Sequence, residues 1–535
     1  MENPPLDRRD AGICAALVAA IFACYWPFQS AEYGGDPLIS ACILQLEQIP
    51  ASYVWHFAHF AVMPIYLLVA AIMPGASALN VVVGTQILCG ALGVAILYLV
   101  LRLLIGDRWL ALLGALLVPA THGFWLCSTT GEEKGLMFLG MALFVAVLFR
   151  QVGLLGAAPL PDRPWVLGAL LVLAVLLHLG NAVLAAYAFL LYATHVLLVV
   201  KEPRRLIGLT AWMAAAGAVL AGIYVLVGVY VQQVRSVAEF REWMLQYHTG
   251  SVLKCFYIDE NWLRNLRWAF LGIKKSLMFP LTSDDQSGAY WLFVLVFIAA
   301  GLACVVLARR RNPMTTWACL LFFALHGMHY LFYEPHHWES WVNPLFFAAI
   351  LLTTALSALP AKIARAAAGL LLATLLAWNS QGFFAPHYNF DLEVARRAAR
   401  EAPPKSLVLH DFIFLHMFMP LFSSNQSVMA RSLYPETRQQ LANFRATRGN
   451  TGPYYLWTEG VDGLNRRISG GQKAFLLCIN HPAVLAYYGQ FLNLGTPLPF
   501  TVSRQPNGRE PIPLALVPVE HAKPNPKFTM ENPQR

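Results

Sequence analysis

Arg8-Arg9-Asp10-Ala11-Gly12-Ile13-Cys14-Ala15-Ala16-Leu17-Val18-Ala19-Ala20-Ile21-Phe22-Ala23-Cys24-Tyr25-Trp26-Pro27, with Glu32-Tyr33-Gly34-Gly35-Asp36-Pro37 close behind, decides how the rest of the chain is read. The apolar run that starts at Ala11 approaches the ~20 residues a lipid-spanning helix needs. Two arginines precede it. It ends in Tyr25-Trp26-Pro27 rather than in the small residues of a cleavage site, so it reads as a retained membrane helix.

Composition extends that reading to most of the chain. Of 535 residues, 58% are hydrophobic and only 13% charged, and mean hydropathy is +0.53. Soluble domains carry roughly 25% charged residues, so much of this surface must face lipid. The formal charge of +9 does not imply nucleic acid. Lys and Arg fall between apolar stretches, where they orient helices and meet anionic headgroups.

Further apolar runs cover 78–101, 109–126, 135–149, 165–180, 182–200, 206–231, 289–308, 314–333, 341–359 and 366–384. With the first, these make about eleven transmembrane helices. Arg8/Arg9, Arg102/Arg108, Arg150/Arg163, Lys201/Arg204/Arg205, Arg309–Arg311 and Lys362/Arg365 mark every second turn as basic. The intervening short turns carry almost no cations, Lys134 being the exception. The positive-inside rule therefore places the N-terminus in the cytoplasm and the C-terminus outside.

Three external segments are too polar to be simple turns. Residues 30–77 contain the apolar stretch Phe57–Met73, interrupted by Pro64 and read as interfacial or re-entrant. Residues 232–288 mix Arg241, Lys274 and Lys275 with Trp243, Tyr247, Trp262 and Trp268, a pattern of helices lying at the headgroup level. From 385 to 520, strands are expected at Ser406–His410, Ala474–Asn480 and Pro513–Val519, and helices at Asp391–Glu401 and Pro435–Arg445. That makes a small external α/β domain, followed by a polar tail over 521–535. The domain plan is thus a membrane unit over 1–384, the domain over 385–520, and the tail. Nine cysteines show no metal-ligand spacing; Cys42, Cys127, Cys255 and Cys478 would face the oxidising side, where a disulfide among them is open.

Chemistry concentrates in the external turns. Asp36, between Gly34-Gly35 and Pro37 at the membrane surface, suits a general base or a metal ligand; Gly, Asp and Pro equally favour a plain polar turn. Glu132 and Glu133 stand before a helix, where carboxylates make ordinary caps. Their alternative is to face a site beside Asp36. Glu334-Pro335-His336-His337-Trp338-Glu339-Ser340-Trp341 crowds charge and aromatics into one short turn, and polar groups at a membrane boundary usually serve a purpose. Arg241, Lys274 and Lys275 are candidates to pair a lipid phosphate, or are solvated surface charges. His178 and Asn181 read as packing groups. No Walker A, HExxH or GxSxG motif appears.

These parts together resemble the GT-C superfamily of polyprenyl-phosphate-sugar-dependent glycosyltransferases, which includes protein O-mannosyltransferases and lipid A aminoarabinose transferases. The resemblance covers the whole length as architecture and only short stretches as motif, notably Asp36 through His56, His59 and Pro64. The family's first loop has His and Pro together and often two adjacent acids. Here His and Pro are separated, and Pro37 follows Asp36. The resemblance implies inverting transfer of a sugar from a polyprenyl-phosphate donor to a lipid, glycan or protein acceptor at the external face, and the Ala- and Leu-rich helices, with no retrieval signal, suggest a bacterial inner membrane. It further implies Asp36 as base, Glu132 and Glu133 orienting acceptor or metal, and Arg241, Lys274, Lys275, Glu334, His336, His337 and Glu339 on the donor. The cofactor stays open, a divalent ion among the options. The competing reading is a lipid or solute transporter or flippase without covalent chemistry, against which stands the absence of visible inverted repeats.

Overall fold

The computed structural model describes residues 6–30, 35–45, 49, 54–55, 59–155, 163–244, 262–279, 288–333, 335–384, 388–412, 415–434, 459–504 and 510–523. Among them, eight helices are long and apolar enough to cross a membrane: Arg8–Phe28, Ala78–Ile105, Lys134–Gln151, Leu179–Val200, Arg205–Tyr230, Tyr290–Arg311, Trp338–Leu356 and Ala361–Phe383. The chain is a multi-pass membrane protein. The first helix starts on a capping box, in which Asp7 accepts from the backbone of Asp10 and Asp10 returns the bond.

Two of the eleven expected spans take a different form. The run 109–126 is not one helix but two, Arg108–Leu116 and His122–Thr129. Pro119 lies in the turn between them; it lacks an N–H and would clash inside a continuous helix. Its carbonyl instead accepts from Tyr25 Oη at 2.5 Å. The run 165–180 is the 14-residue helix Pro164–Leu177, which ends where His178 turns extended. The expected span 314–333 is the full 20-residue helix Pro313–Phe332; its threonines and histidines keep it outside the most apolar set.

The stretch 57–73 resolves into the 11-residue helix Val62–Ile72. At 1.5 Å per residue this is too short to cross. Pro64 sits in its first turn, where the missing N–H costs nothing. Within 232–288, Val237–Met244 and Trp262–Leu277 are helices with opposed polar and apolar faces. Trp262–Leu277 lies against the Trp338–Trp341 turn, and Gly272 makes the approach possible. A Cβ there would stand 2.6 Å from Trp341 Nε1 and 2.7 Å from the Pro335 carbonyl.

After the last long helix comes Phe390–Glu401, N-capped by Asn389. Among the described residues six strands follow: β1 Leu407–His410, β2 Gln426–Met429, β3 Ala474–Ile479, β4 Leu492–Leu494, β5 Leu498–Ser503 and β6 Pro511–Ala522. They order β2-β1-β3-β6-β4, with β5 also paired to β6. β1 runs parallel to β2 and β3, and β6 runs antiparallel to β3. The expected strands appear, and β6 carries the sheet through His521 into Ala522. The expected helix Pro435–Arg445 lies outside the described residues. Burial pushes the His410 imidazole down to about 3, only partly opposed by a backbone bond at Phe412. It sits neutral against Ser427 Oγ at 2.7 Å. Cys42, Cys127 and Cys478 are free thiols; Cys255 lies outside the described residues.

Candidate functional site

Helix His122–Thr129 ends in a turn whose Gly131 has φ +84°, a left-handed conformation that glycine adopts without a Cβ penalty. The turn carries Glu132 and Glu133, which are only 9% and 3% exposed, directly into helix Lys134–Gln151. Glu133 occupies the N-cap but makes no side-chain cap bond. The ordinary capping role that the sequence allows it is therefore not what holds it there.

Lys134 is the unexpected member. A cation at the first position of a helix stands against the positive end of the helix dipole, so it needs negative partners from elsewhere. Glu339 Oε2 lies 3.9 Å from its Nζ, and the charge of Glu132 also acts on it. His178 Nε2 lies 3.2 Å from the same nitrogen. His178 is held by the Gly180 N–H donating to Nδ1 at 2.9 Å, and its ring packs 4.7 Å from that of His59. Asn181, one turn on, donates to the Met137 and Ala174 carbonyls. The packing role expected for Asn181 is what the structure shows, whereas His178 reaches into the polar cluster.

Glu339 comes from the short turn Trp338–Trp341, pinned by Trp341 Nε1 donating to the Pro335 carbonyl at 3.1 Å. Its Oε1 lies 3.7 Å from His337 Nδ1. His336 packs instead against Trp268, ring centres 5.5 Å apart. Glu334 lies outside the described residues.

Asp36 is the second residue of helix Gly35–Leu44. Its neighbour Pro37 packs on Gly131: a Cβ at Gly131 would stand 3.0 Å from Pro37 Cβ and 3.0 Å from Val82 Cγ1. The turn bearing Asp36 is thus laid directly on the turn bearing Glu132 and Glu133. Below them Gln86 Nε2 donates to Tyr66 Oη at 2.7 Å, and Tyr66 feels both carboxylates. Gly131→Ala strains a positive φ and pushes on Pro37. It is expected to cost more than about 1 kcal/mol of stability, read as a lowered unfolding midpoint in detergent, and to lower any activity of Asp36 as well.

The basic candidates lie one layer out. Arg241 belongs to Val237–Met244, whose Trp243 packs with Phe60 and Tyr224. Lys274 sits over the Tyr290 ring at 5.9 Å. Lys275 offers its carbonyl to His122 Nδ1 at 3.1 Å. The structure brings the side chains of Glu132, Glu133, Lys134, His178, His337 and Glu339 to one end of the bundle, and sets the backbone of Asp36 next to Pro37, which packs on Gly131. It places Lys274 and Lys275 on the helix that buttresses this end. In the sequence Lys134 is visible only as an exception to the charge pattern, and that irregularity is the signal that finds it. Among the described residues, no group of three or more His, Cys, Asp or Glu is arranged to hold a metal ion.

No protein-family model matches the sequence, and no curated protein matches it. Solved structures do. The archaeal oligosaccharyltransferase AglB from Archaeoglobus fulgidus, in complex with an inhibitory peptide and a dolichol-phosphate, aligns over 94% of this chain and 74% of its own, at 12% identity and a TM-score of 0.46. An Archaeoglobus fulgidus oligosaccharyltransferase in complex with Zn and sulfate aligns over 91% and 72%, at 11% identity and a TM-score of 0.41. ArnT from Cupriavidus metallidurans in the apo state aligns over 94% and 98%, at 13% identity and a TM-score of 0.42.

Proposed function

We propose that this chain is a membrane glycosyltransferase that moves a sugar from a polyprenyl-phosphate donor to an acceptor at the external face of a bacterial inner membrane. The observation that carries the reading is the packing of Pro37 on Gly131. It joins the Asp36 turn to Glu132, Glu133 and the Lys134–Glu339 pair at the end of the bundle away from the basic loops. Acids grouped with one cation beside lipid are costly to maintain without chemistry to perform.

In this reading the acceptor hydroxyl or amine attacks the anomeric carbon from the face opposite the phosphate. The new bond forms as the carbon–oxygen bond to phosphate breaks, and configuration inverts. Asp36 takes the acceptor's proton. The departing phosphate carries the electron pair away, and Lys134 is the cation best placed to meet it, with Lys274 and Lys275 behind. Glu132 and Glu133 orient the acceptor or a divalent ion.

The test is transfer by the purified full chain in vesicles containing a polyprenyl-phosphate sugar. Glycosylated product with release of polyprenyl phosphate supports the reading. Movement of the lipid between leaflets with no product would replace it with the transporter reading. Orientation is tested separately, with single cysteines at positions 450 and 310. An impermeant reagent added outside is expected to label the first and miss the second; the reverse pattern overturns the topology.

A further inference from the structure

Helix Gly35–Leu44 is buried on two sides by two different cores. On one side, Leu38 is fully buried among Val394, Val408, Phe418, Met419 and Leu514 of the C-terminal domain. On the other, Ala41 and Ile43 pack with Met63, Tyr66 and Val82 of the membrane unit. Ile39, and Leu421 of the domain's helix Leu415–Phe422, lie against both cores. A helix of ten residues is marginal on its own in water. Its order, and with it the position of Asp36 two residues before Leu38, is supplied by what grips it.

We propose that the C-terminal domain is part of the transfer machinery, with Leu38 the positioning residue through which it fixes the Asp36 turn over Glu132 and Glu133. This rests on the reading of Asp36 as the base. The domain does not touch the reacting atoms in this account. It sets where the base stands, and a misplacement of about 1 Å at a reacting group can cost about 10²-fold in rate. Any ligand or partner that shifts Leu415–Phe422 would therefore change turnover without entering the membrane.

The experiment uses the full chain in detergent. Leu38→Ala is expected to lower kcat per folded molecule by about 10- to 10²-fold, with KM for the donor little changed. Amides of residues 38–44 should exchange with deuterium faster, and Leu38→Met, which refills the space, should restore both readouts. Phe418→Leu, on the domain side, should move them in the same direction as Leu38→Ala. If Leu38→Ala does not fold, Leu38→Val is read in its place. A merely structural Leu38 would lower the unfolding midpoint while leaving kcat per folded molecule and the exchange of 38–44 unchanged; that result overturns the proposal. Failure of the base assignment looks different: an active Asp36→Asn variant with exchange as in the unmodified chain.

Discussion

Asp36→Asn is expected to abolish sugar transfer while the protein stays folded and still binds the lipid donor. Asparagine keeps nearly the shape and hydrogen-bonding reach of aspartate but cannot take a proton. Loss of general-base assistance typically costs 10²–10⁴-fold. Because a base acts in the transition state, the loss should fall on kcat rather than on donor binding. Asp36 lies in the first turn of Gly35–Leu44, where a carboxylate gains about 0.3–1 kcal/mol from the helix dipole. Asparagine gives up that small amount, so the change in stability and the change in rate are far apart in size. Transfer from a polyprenyl-phosphate sugar, with donor binding measured in parallel, separates the two. Near-normal turnover by the variant would return Asp36 to a helix-end residue and leave the base unassigned.

The helices were legible because lipid imposes a length on them. Runs such as 78–101 and 206–231 have few other ways to satisfy their backbone. Where the sequence reading fails, a local residue accounts for it. Pro119 splits 109–126 because ring and carbonyl collide, a rule that hydropathy averaging does not contain. The site was legible only by its parts. Asp36, Glu132, Glu133 and Glu339 each stand out as polar groups at a helix end, but their meeting depends on contacts between segments distant in the chain. Gly131 under Pro37 and Lys134 between Glu339 and His178 are such contacts. Leu38 reads in sequence as one more apolar residue; its burial in the C-terminal domain becomes visible only in three dimensions. The charge pattern shows the same limit at the opposite end. Arg102 and Arg108 count toward topology in the sequence, yet both are engaged by an acid buried in the first helix.

That acid is Asp10, whose removal is expected to give a large loss of stability. Its Oδ1 accepts from Tyr98 Oη at 2.6 Å and from Arg108 Nε at 3.0 Å, with Arg102 Nε at 3.4 Å. Asp10 and Arg102 are 1% and 5% exposed. Arg108 also reaches Asp7 at 2.8 Å, so the cluster ties the first helix to both Ala78–Ile105 and Arg108–Leu116. Asp10→Ala leaves the Arg102 guanidinium buried without its anion. Breaking a buried pair in this way costs about 3–5 kcal/mol, whereas Tyr98→Phe, which removes one hydrogen bond, should cost about 0.5–1.5 kcal/mol. Reversible unfolding in mixed micelles gives the comparison. Asp10→Leu combined with Arg102→Met should recover much of the loss, because replacing both charges with apolar groups removes the desolvation penalty along with the attraction. If Asp10→Ala loses less than about 1 kcal/mol, the typical ceiling for an exposed pair, the guanidiniums are reached by water and the cluster does not fasten the first helix to its neighbours.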